Sequence, residues 1–280
     1  MTLTSDGYRS DTAGELPDDG APVVAGVQLP GGHLVRADRT YRQPRSLATR
    51  QPVLWITDGS VPGVGRFWAE LQQQYPETGL WPLVLHTLDS APERPWDEGE
   101  LDPSATSAPD DHAPEAVLRD WWAEGLPIEG KDEAGLDELA PFGRTFPGLA
   151  SASTGPVADD APRRVAAAMA GRLGLVAVRR PADAVATLGW LGPINHFEDM
   201  GMLAAVLRSW EDRYGAVVVG IGFDTLTVAV RRPPSDDQTA TALAAEHLAA
   251  CSDNIWQGAG SIADYAATIR GQPLWSFWWD

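Results

Sequence analysis

Two short apolar runs constrain the fold of this chain more than any other sequence feature. Residues 217–221 and 226–230 are rich in valine, and Gly222-Phe223-Asp224-Thr225 separates them. β-Branched residues favour strands, and a short glycine-containing connection is typical of a turn between antiparallel strands. The sequence therefore predicts a β-hairpin at 217–230, central to its sheet.

Strands and helix pairs are predicted on both sides of this hairpin. The upstream elements are a strand at 175–178 and helices at 181–188 and 202–214; the downstream ones are helices at 238–251 and 261–270 and a strand at 274–279. If each helix pair is counted as one helical element, the order is β-α-β-β-α-β. That order predicts an α+β fold, a ferredoxin-like (split βαβ) sandwich, preceded by a smaller mixed α/β region.

Composition along the chain suggests four regions. They are a mobile tail at 1–22, an N-terminal α/β region at 23–149 with an acidic, proline-rich loop at 89–113, a linker at 150–164 and a C-terminal domain at 165–280. The linker is placed where residues are small, polar and proline-containing. Within the N-terminal region, the runs 53–57 and 80–88 flank an amphipathic helical pattern, which predicts a βαβ unit.

The chain is strongly acidic. It has 39 acidic and 21 basic residues and a net charge of −18. Such a charge repels nucleic acid and anionic membrane surfaces and favours a basic protein partner. The oligomeric state is left open.

Cysteine usage and the first residues bear on the cellular compartment. Cys251 is the one cysteine, so a disulfide within the chain and a multi-cysteine metal site are excluded. The beginning of the chain lacks the basic and apolar segments of a secretion signal. We therefore expect a cytoplasmic protein.

A search for familiar catalytic motifs is negative. The sequence contains no GxSxG, HExxH or GxxxxGK[ST] motif and no calcium-binding EF-hand loop. No cofactor and no metal is predicted, and whether the protein is an enzyme is left open.

One group of candidate site residues precedes the helix at 202–214. Asn195, His196, Glu198 and Asp199 gather an amide, an imidazole and two carboxylates. The carboxylates are accounted for by capping of the helix N-terminus. Asn195 and His196 are not, and they are candidate pocket residues.

The helix predicted at 238–251 supplies two more candidates. A step of 100° per residue places His247 and Cys251 on its apolar face and Glu246 at the edge of that face. We expect His247 and Cys251 to be buried, and two ligands are too few for a metal site. A Cys–His nucleophile pair remains an alternative.

The connection at 252–260 supplies Trp256 and Gln257. Asp253 and Asn254 in the same connection are typical turn residues. A tryptophan in a loop has no obvious folding role, so it is a candidate wall of a ligand pocket.

The run 274–279 carries bulky side chains on both faces of a strand. An exposed edge strand of that kind invites aggregation. It is therefore predicted to lie inside the core, with a partner-binding aromatic tail as the alternative.

The ending WSFWWD, with LGWLGPIN, LRSWEDRYGA and AAEHLAAC upstream, resembles the bacterial family called domain of unknown function 4253. The resemblance covers about residues 170–280. It implies a fold and a bacterial setting, but no mechanism.

Two hypotheses about function remain. The first is a protein-interaction module, immunity-like or regulatory, with a basic partner. The second is a small-molecule enzyme or binder with a pocket built from candidates in the C-terminal domain. Those candidates are Asn195, His196, Glu246, His247, Trp256 and Gln257.

Overall fold

The computed structural model of the protein describes residues 9, 11–38, 51–126 and 136–280. Within these residues the chain is a mixed α+β structure, as predicted. The strands are β1 (Val23–Val24), β2 (Val27–Gln28), β3 (Gly32–Val35), β4 (Leu54–Thr57), β5 (Leu80–Leu85), β6 (Arg172–Ala177), β7 (Ala216–Ile221), β8 (Thr225–Val230) and β9 (Leu274–Trp278). The α-helices are α1 (Val64–Thr78), α2 (Pro114–Glu124), α3 (Ala161–Ala168), α4 (Ala184–Leu188), α5 (Met200–Tyr214), α6 (Asp237–Ala250) and α7 (Ile262–Ile269).

The helix limits in the C-terminal half follow local capping signals. The Asp199 side chain accepts a hydrogen bond from Gly201 N at the start of α5, and Ser261 accepts one from Asp264 N at the start of α7. Gly189 and Gly215 end α4 and α5 in the left-handed conformation that glycine adopts without strain. These helices confirm the sequence prediction, except that Pro181–Asp183 forms a 3-10 turn before α4.

Seven strands form one mixed sheet in the order β3-β4-β6-β5-β7-β8-β9. Only β5 and β7 are parallel neighbours; every other adjacent pair in this sheet is antiparallel. The predicted hairpin is β7 and β8, but it lies towards one edge of the sheet, next to β9, rather than at its centre. Strands β1 and β2 form a separate small ribbon.

The ferredoxin-like strand arrangement is not the one observed. The chain order of strand, helices, hairpin, helices and strand is as predicted, but β6 and β7 are separated by β5 and run in opposite directions. A split βαβ unit needs its two strands parallel, with one helix returning the chain between them. Here two helices lie between β6 and β7, so the chain makes one extra reversal. Counting the helix pair as a single element concealed that reversal.

A split βαβ unit does occur, in the N-terminal half. Strands β4 and β5 are both antiparallel to β6, which lies between them, so they are parallel to each other. Helix α1 connects them, which confirms the predicted βαβ unit. Trp68 and Tyr75 of α1 pack edge-on against Trp81 of β5, and the Trp81 indole donates a hydrogen bond to Val218 O of β7.

Strands from both sides of the predicted linker share this sheet. Strand β6 follows residues 150–164, yet its neighbours β4 and β5 precede them. Helix α3 begins at Ala161, within the predicted linker. Whether 165–280 folds by itself stays a prediction, but in the structure its first strand is held by strands from the other region.

The described part of the predicted mobile tail lies against the body of the protein. Gly14 N donates to Gly79 O, Gly20 and Gly32 exchange backbone hydrogen bonds, and Asp19 accepts one from Leu34 N. The last two contacts cover the outer edge of β3, which would otherwise be an unpaired sheet edge. Residues 1–8 and 10 lie outside the described residues.

The acidic loop predicted at 89–113 has two side chains that are buried in the core. Trp96 and Leu101 are buried, and the Trp96 indole donates a hydrogen bond to His86 O. Two 3-10 turns, Pro103–Ala105 and Pro109–Asp111, lie within it.

The prediction that the last strand is covered on both faces is wrong. Strand β9 is at the edge of the sheet, and its burial alternates: Trp275 and Phe277 are buried, whereas Leu274 and Trp278 are 45% and 37% exposed. The buried side packs on Trp210 of α5 and His247 of α6. The bulky residues on the other face misled the sequence argument because hydrophobicity does not reveal whether a strand has one covered face or two.

Side chains donate hydrogen bonds to backbone carbonyls along the free edge of β9. Asn254 Nδ2 donates to Ser276 O at 2.7 Å, and Cys251 Sγ donates to Trp278 O at 2.9 Å. These contacts block carbonyls that another strand would need, so the edge is protected although two apolar side chains are exposed.

We predict that the two faces of β9 differ sharply in their contribution to stability. Trp275→Ala and Phe277→Ala should each lower the free energy of unfolding by about 3–5 kcal/mol, because each leaves a cavity beside Trp210 and His247. Trp278→Ala is the matched control on the exposed face and should have a much smaller effect. Chemical denaturation measures both, and equal losses on the two faces would contradict the observed orientation.

A buried carboxyl on α5 predicts a pH dependence of stability. Glu211 is 2% exposed; Arg180 Nε donates to its Oε2 at 3.3 Å, and its Oε1 has no partner among the described residues. Burial raises the pKa of Glu211 to about 7, although the Arg180 guanidinium opposes this shift. In the unfolded chain a glutamate ionises near pH 4.5. Between these two values the folded protein binds more protons, so the contribution of Glu211 to stability falls as pH rises.

We therefore expect Glu211→Gln to gain stability relative to the unmodified protein as pH is raised from 5 to 8. The gain should be on the order of 2–3 kcal/mol. The glutamine side chain does not ionise, so the variant lacks the loss of stability that Glu211 causes as pH rises. Urea unfolding at both pH values measures it. Glu77→Gln, at an exposed position, should show no such pH-dependent gain. Parallel pH profiles for Glu211→Gln and the unmodified protein would contradict the prediction.

Candidate functional site

A cleft of about 630 Å³ opens where the parallel strands β4 and β5 end. Asp58 follows β4, His86 follows β5, and Arg172 begins the antiparallel strand β6 between them. The loop after β5 contributes Asp89, Glu93 and Asp97 as a further wall. The carboxyl ends of parallel strands are a common place for ligand sites, because the following loops converge there. We call this feature the acidic cleft, after its four carboxylates.

A buried arginine fixes one side of the acidic cleft. Arg172 Nη1 and Nη2 donate to the two carboxylate oxygens of Asp97 at 2.8 and 2.9 Å, and Arg172 Nε donates to Thr57 O at 2.6 Å. Such a two-pronged pair has a defined geometry. The guanidinium is therefore committed to Asp97 and to the end of β4, and it neutralises one carboxylate of the cleft.

His33 of β3 contacts two carboxylates of the acidic cleft. Its Nδ1 lies 2.9 Å from Asp58 Oδ1, and its Nε2 lies 3.2 Å from Asp97 Oδ1. A neutral imidazole has only one N–H, so only the imidazolium can donate to both carboxylates. His33 is therefore able to bridge Asp58 and Asp97 when its ring is protonated.

His86 has a defined tautomer when it is neutral. Its Nε2 is 2.7 Å from Ala170 O, and a carbonyl oxygen can only accept, so Nε2 carries the hydrogen. The unprotonated Nδ1 of the neutral ring is then able to accept a hydrogen bond.

Asp89 and Glu93 complete the negative wall of the cleft. Both are exposed, and neither carboxylate has a hydrogen bond or ion pair with any described residue. Among the described residues, four carboxylates and one guanidinium thus line the cleft, and that guanidinium is already paired. The arrangement favours a positively charged group and disfavours an anion.

Metal binding is not indicated at this cleft. Across the described ranges, no group of three or more His, Cys, Asp or Glu side chains is arranged to hold a metal ion. The chemistry that the cleft offers is recognition of a cation by carboxylates, with His86 able to accept a hydrogen bond.

This site was not predicted from the sequence. The acidic loop and the βαβ unit were each expected, but not their meeting at one cleft. A usable signal was present: Asp58 and His86 are the first residues after the two strands of that unit, and such positions meet at one edge of a sheet.

Three of the predicted site residues lie near one another. His196 Nε2 is 3.1 Å from Asp253 Oδ2, and Gln257 Nε2 donates to Asp253 Oδ1 at 3.0 Å. Asn195 and His196 line a cavity of about 240 Å³ beside Trp121. Asp253, which sequence analysis assigned to a turn, is therefore the residue that joins His196 and Gln257.

Trp256 does not line that cavity, but it lines a neighbouring one that shares Trp121 with it. It is partly buried and lines a narrow crevice with Trp121 and Trp122 of α2. The predicted role of Trp256 as a pocket wall stays a prediction.

Glu246 is fully buried within the core rather than at a cavity. Arg213 donates to both of its carboxylate oxygens at 2.7 and 2.6 Å, Trp210 Nε1 donates to Oε2, and Ala150 N donates to Oε1. The group connects α5, α6 and the segment before α3. A carboxylate with this set of donors is accounted for by structure alone.

His247 and Cys251 are buried, as the helical pattern predicted. Asn254 Nδ2 donates to Tyr265 Oη, which is 3.1 Å from His247 Nδ1 and is able to donate to it. Burial lowers the pKa of His247 well below its ordinary value, so the ring is neutral. Its Nε2–H then lies among the rings of Trp210, Trp275 and Phe277.

The alternative of a Cys–His nucleophile pair is disfavoured by these surroundings. Cys251 donates to Trp278 O, and burial raises the pKa of its thiol to about 12. The thiolate is the nucleophilic form, so a thiol in this environment is unreactive at neutral pH.

One cluster, of Ser107, His112 and Asp199, contains the residue types of a catalytic triad but has a different geometry. Ser107 Oγ is 2.6 Å from Asp199 Oδ2 and 2.5 Å from His112 Nε2. In a catalytic triad the histidine lies between the carboxylate and the serine, whereas here the serine donates directly to the carboxylate. Asp199 also caps α5 and accepts from Ser107 N, so the cluster fastens the loop to the helix.

The buried carboxylate of Glu246 is expected to stabilise the fold. We predict that Glu246→Ala lowers the free energy of unfolding by about 3–5 kcal/mol, because Arg213 is left as a buried, unpaired cation. Glu246→Gln should cost less, since its oxygen still accepts from Trp210 or Ala150. Glu70→Ala removes an exposed carboxylate from its i,i+4 pair with Arg66 and is a control with little expected effect. Unfolding curves for the three variants test this, and a fully stable Glu246→Ala would contradict it.

Comparisons with known proteins identify only one part of the chain. No curated protein and no solved structure gives a significant match. No described helix has both the length and the apolar character required to cross a bilayer. The matched segment begins at the first residue of β6, so it contains Arg172 but not Asp58, His86 or Asp97. Residues 172–280 match the model of the family described as domain of unknown function (DUF4253), so the C-terminal part of the chain is similar to that family.

Proposed function

We propose that the protein is an interaction module for a basic partner protein, and that a lysine or arginine side chain of the partner enters the acidic cleft. The observation that carries this proposal is the uncompensated charge of the cleft. The carboxylates of Asp89 and Glu93 have no partner among the described residues, and the one guanidinium that those residues contribute to the lining is held by Asp97.

The charge of the whole chain supports this assignment. A net charge of −18 raises the rate at which a basic protein encounters the surface, and it repels nucleic acid. The cleft then provides a concave place in which a cationic side chain contacts several carboxylates.

We also propose that this interaction takes place in a bacterial cytoplasm. The single cysteine is buried and takes part in no disulfide, which suits a reducing compartment. The family resemblance of the C-terminal part supports the bacterial setting.

A small-molecule binder or enzyme is the second candidate. It is favoured by the position of the cleft at the carboxyl ends of β4 and β5 and by its volume, which is in the range of small-ligand sites. A small cation would then be the ligand.

The two exposed carboxylates allow a direct test. We expect the unmodified protein to bind a lysine-rich decapeptide, and the variant Asp89→Asn/Glu93→Gln to bind it about tenfold more weakly with a smaller salt dependence. Glu77→Gln/Asp120→Asn removes the same charge from exposed positions elsewhere and should change the affinity less than twofold. Calorimetric titration at two salt concentrations measures both.

Three outcomes separate the possibilities. Equal weakening in both double variants would mean that only net charge attracts the peptide, which would overturn the assignment of the cleft. Binding of lysine methyl ester as tightly as the peptide would favour the small-molecule candidate. Tight binding of the peptide alone, lost in the cleft variant, would support the proposal.

A further inference from the structure

The imidazole of His33 lies between two of the carboxylates that line the acidic cleft. Its Nδ1 is 2.9 Å from Asp58 Oδ1, at the end of β4, and its Nε2 is 3.2 Å from Asp97 Oδ1, in the loop after β5. Asp97 Oδ1 also accepts a hydrogen bond from Arg172 Nη2 at 2.9 Å. One side chain therefore contacts carboxylates from both loops that form the cleft.

The protonation state of His33 decides which of these two contacts are hydrogen bonds. An imidazolium has an N–H on each nitrogen and donates to both carboxylates. A neutral ring has one N–H, so its other nitrogen presents a lone pair to a carboxylate oxygen, and the two repel each other. Histidine side chains in general change their charge between about pH 5 and pH 8. A change of pH across this range therefore makes or breaks one carboxylate contact.

Of the two carboxylates, Asp58 is held less firmly. Its side chain is 70% exposed, and His33 is its one side-chain partner among the described residues. Asp97 keeps both hydrogen bonds from the Arg172 guanidinium whatever the charge of the imidazole. The turn before β3 keeps Asp58 beside the ring, because Asp58 N donates to Gly31 O at 3.0 Å. Asp58 is therefore the carboxylate that a neutral His33 leaves open to a ligand.

The charged groups around His33 come from each element that packs against it. Asp58 follows β4, Asp97 lies in the loop after β5, and Arg172 of β6 shares Asp97 with the ring. Asp19 of the N-terminal segment accepts a hydrogen bond from the backbone N–H of the residue after His33. The three carboxylates favour the imidazolium, and the guanidinium that opposes it is itself paired with Asp97.

We propose that binding of a cationic side chain in the acidic cleft is coupled to loss of a proton from His33. This inference rests on the proposed function of the cleft. A proton on His33 occupies Asp58 and adds a positive charge beside the site, so a lysine or arginine of the partner meets one free carboxylate fewer and one like charge more. The cleft thus binds its partner more weakly at acidic pH, and by linkage the bound cation displaces a proton.

Calorimetric titration with an N-acetylated, lysine-rich decapeptide at pH 5.5 and pH 7.5 tests this proposal, because lysine side chains stay charged across that range. We expect the unmodified protein to bind the peptide about fivefold more tightly at pH 7.5. His33→Gln carries no charge at either pH and should reduce this ratio to about twofold or less. His86, which also lines the cleft, accounts for the remainder. His33→Lys carries a fixed charge and should bind weakly at both pH values.

The matched control is His112→Gln, since His112 contacts Ser107 and does not line the cleft. It should keep the pH dependence of the unmodified protein. An undiminished pH dependence in His33→Gln would overturn the proposal, as would tighter binding at pH 5.5 than at pH 7.5 in the unmodified protein.

A second measurement needs no variant. Heats of binding at pH 6.5 in buffers of different ionisation enthalpy give the number of protons released, and we expect the unmodified protein to release protons when it binds the peptide. Binding without proton release would overturn this inference but leave the proposed function of the cleft intact. Absence of peptide binding at pH 7.5 would defeat the proposed function, and this inference with it.

Discussion

The pairing of β6 with β4 and β5 is the interaction on which the rest of the structure depends. It joins two parts of the chain that are separated by almost ninety residues into one sheet. It also places Arg172, the first residue of β6, beside Thr57 at the end of β4, where it binds Asp97 from the loop after β5. The same pairing therefore builds the sheet and positions the acidic cleft.

Polar side chains in the core differ from those at the acidic cleft in whether they have partners within the protein. Inside the core, Glu246 and Tyr265 have several partners, and His247 is held neutral among aromatic rings. At the acidic cleft, the side-chain carboxylates of Asp89 and Glu93 have none among the described residues. Most buried polar groups are satisfied within the fold, with Glu211 Oε1 as an exception, whereas groups at a binding site gain their partner from the ligand. This contrast is the basis of the proposed site.

The family match leaves out most of the acidic cleft. Most of the residues that line the cleft come before the matched segment. Within this chain, the acidic cleft is thus built largely by the N-terminal region and completed by Arg172.

The sequence by itself determined the elements whose signals are local. The hairpin at β7 and β8, the capped helices α5 and α7, and the burial of His247 and Cys251 follow from periodicity, glycine and capping residues over a few positions. Only the tertiary structure decided the strand order, the edge position of β9 and the meeting of His33, Asp58, Asp97 and Arg172. Hydrophobic patterning indicates which side chains of a strand are buried, but it does not identify the neighbouring strands. The backbone hydrogen bonds are nearly the same whichever two strands are paired.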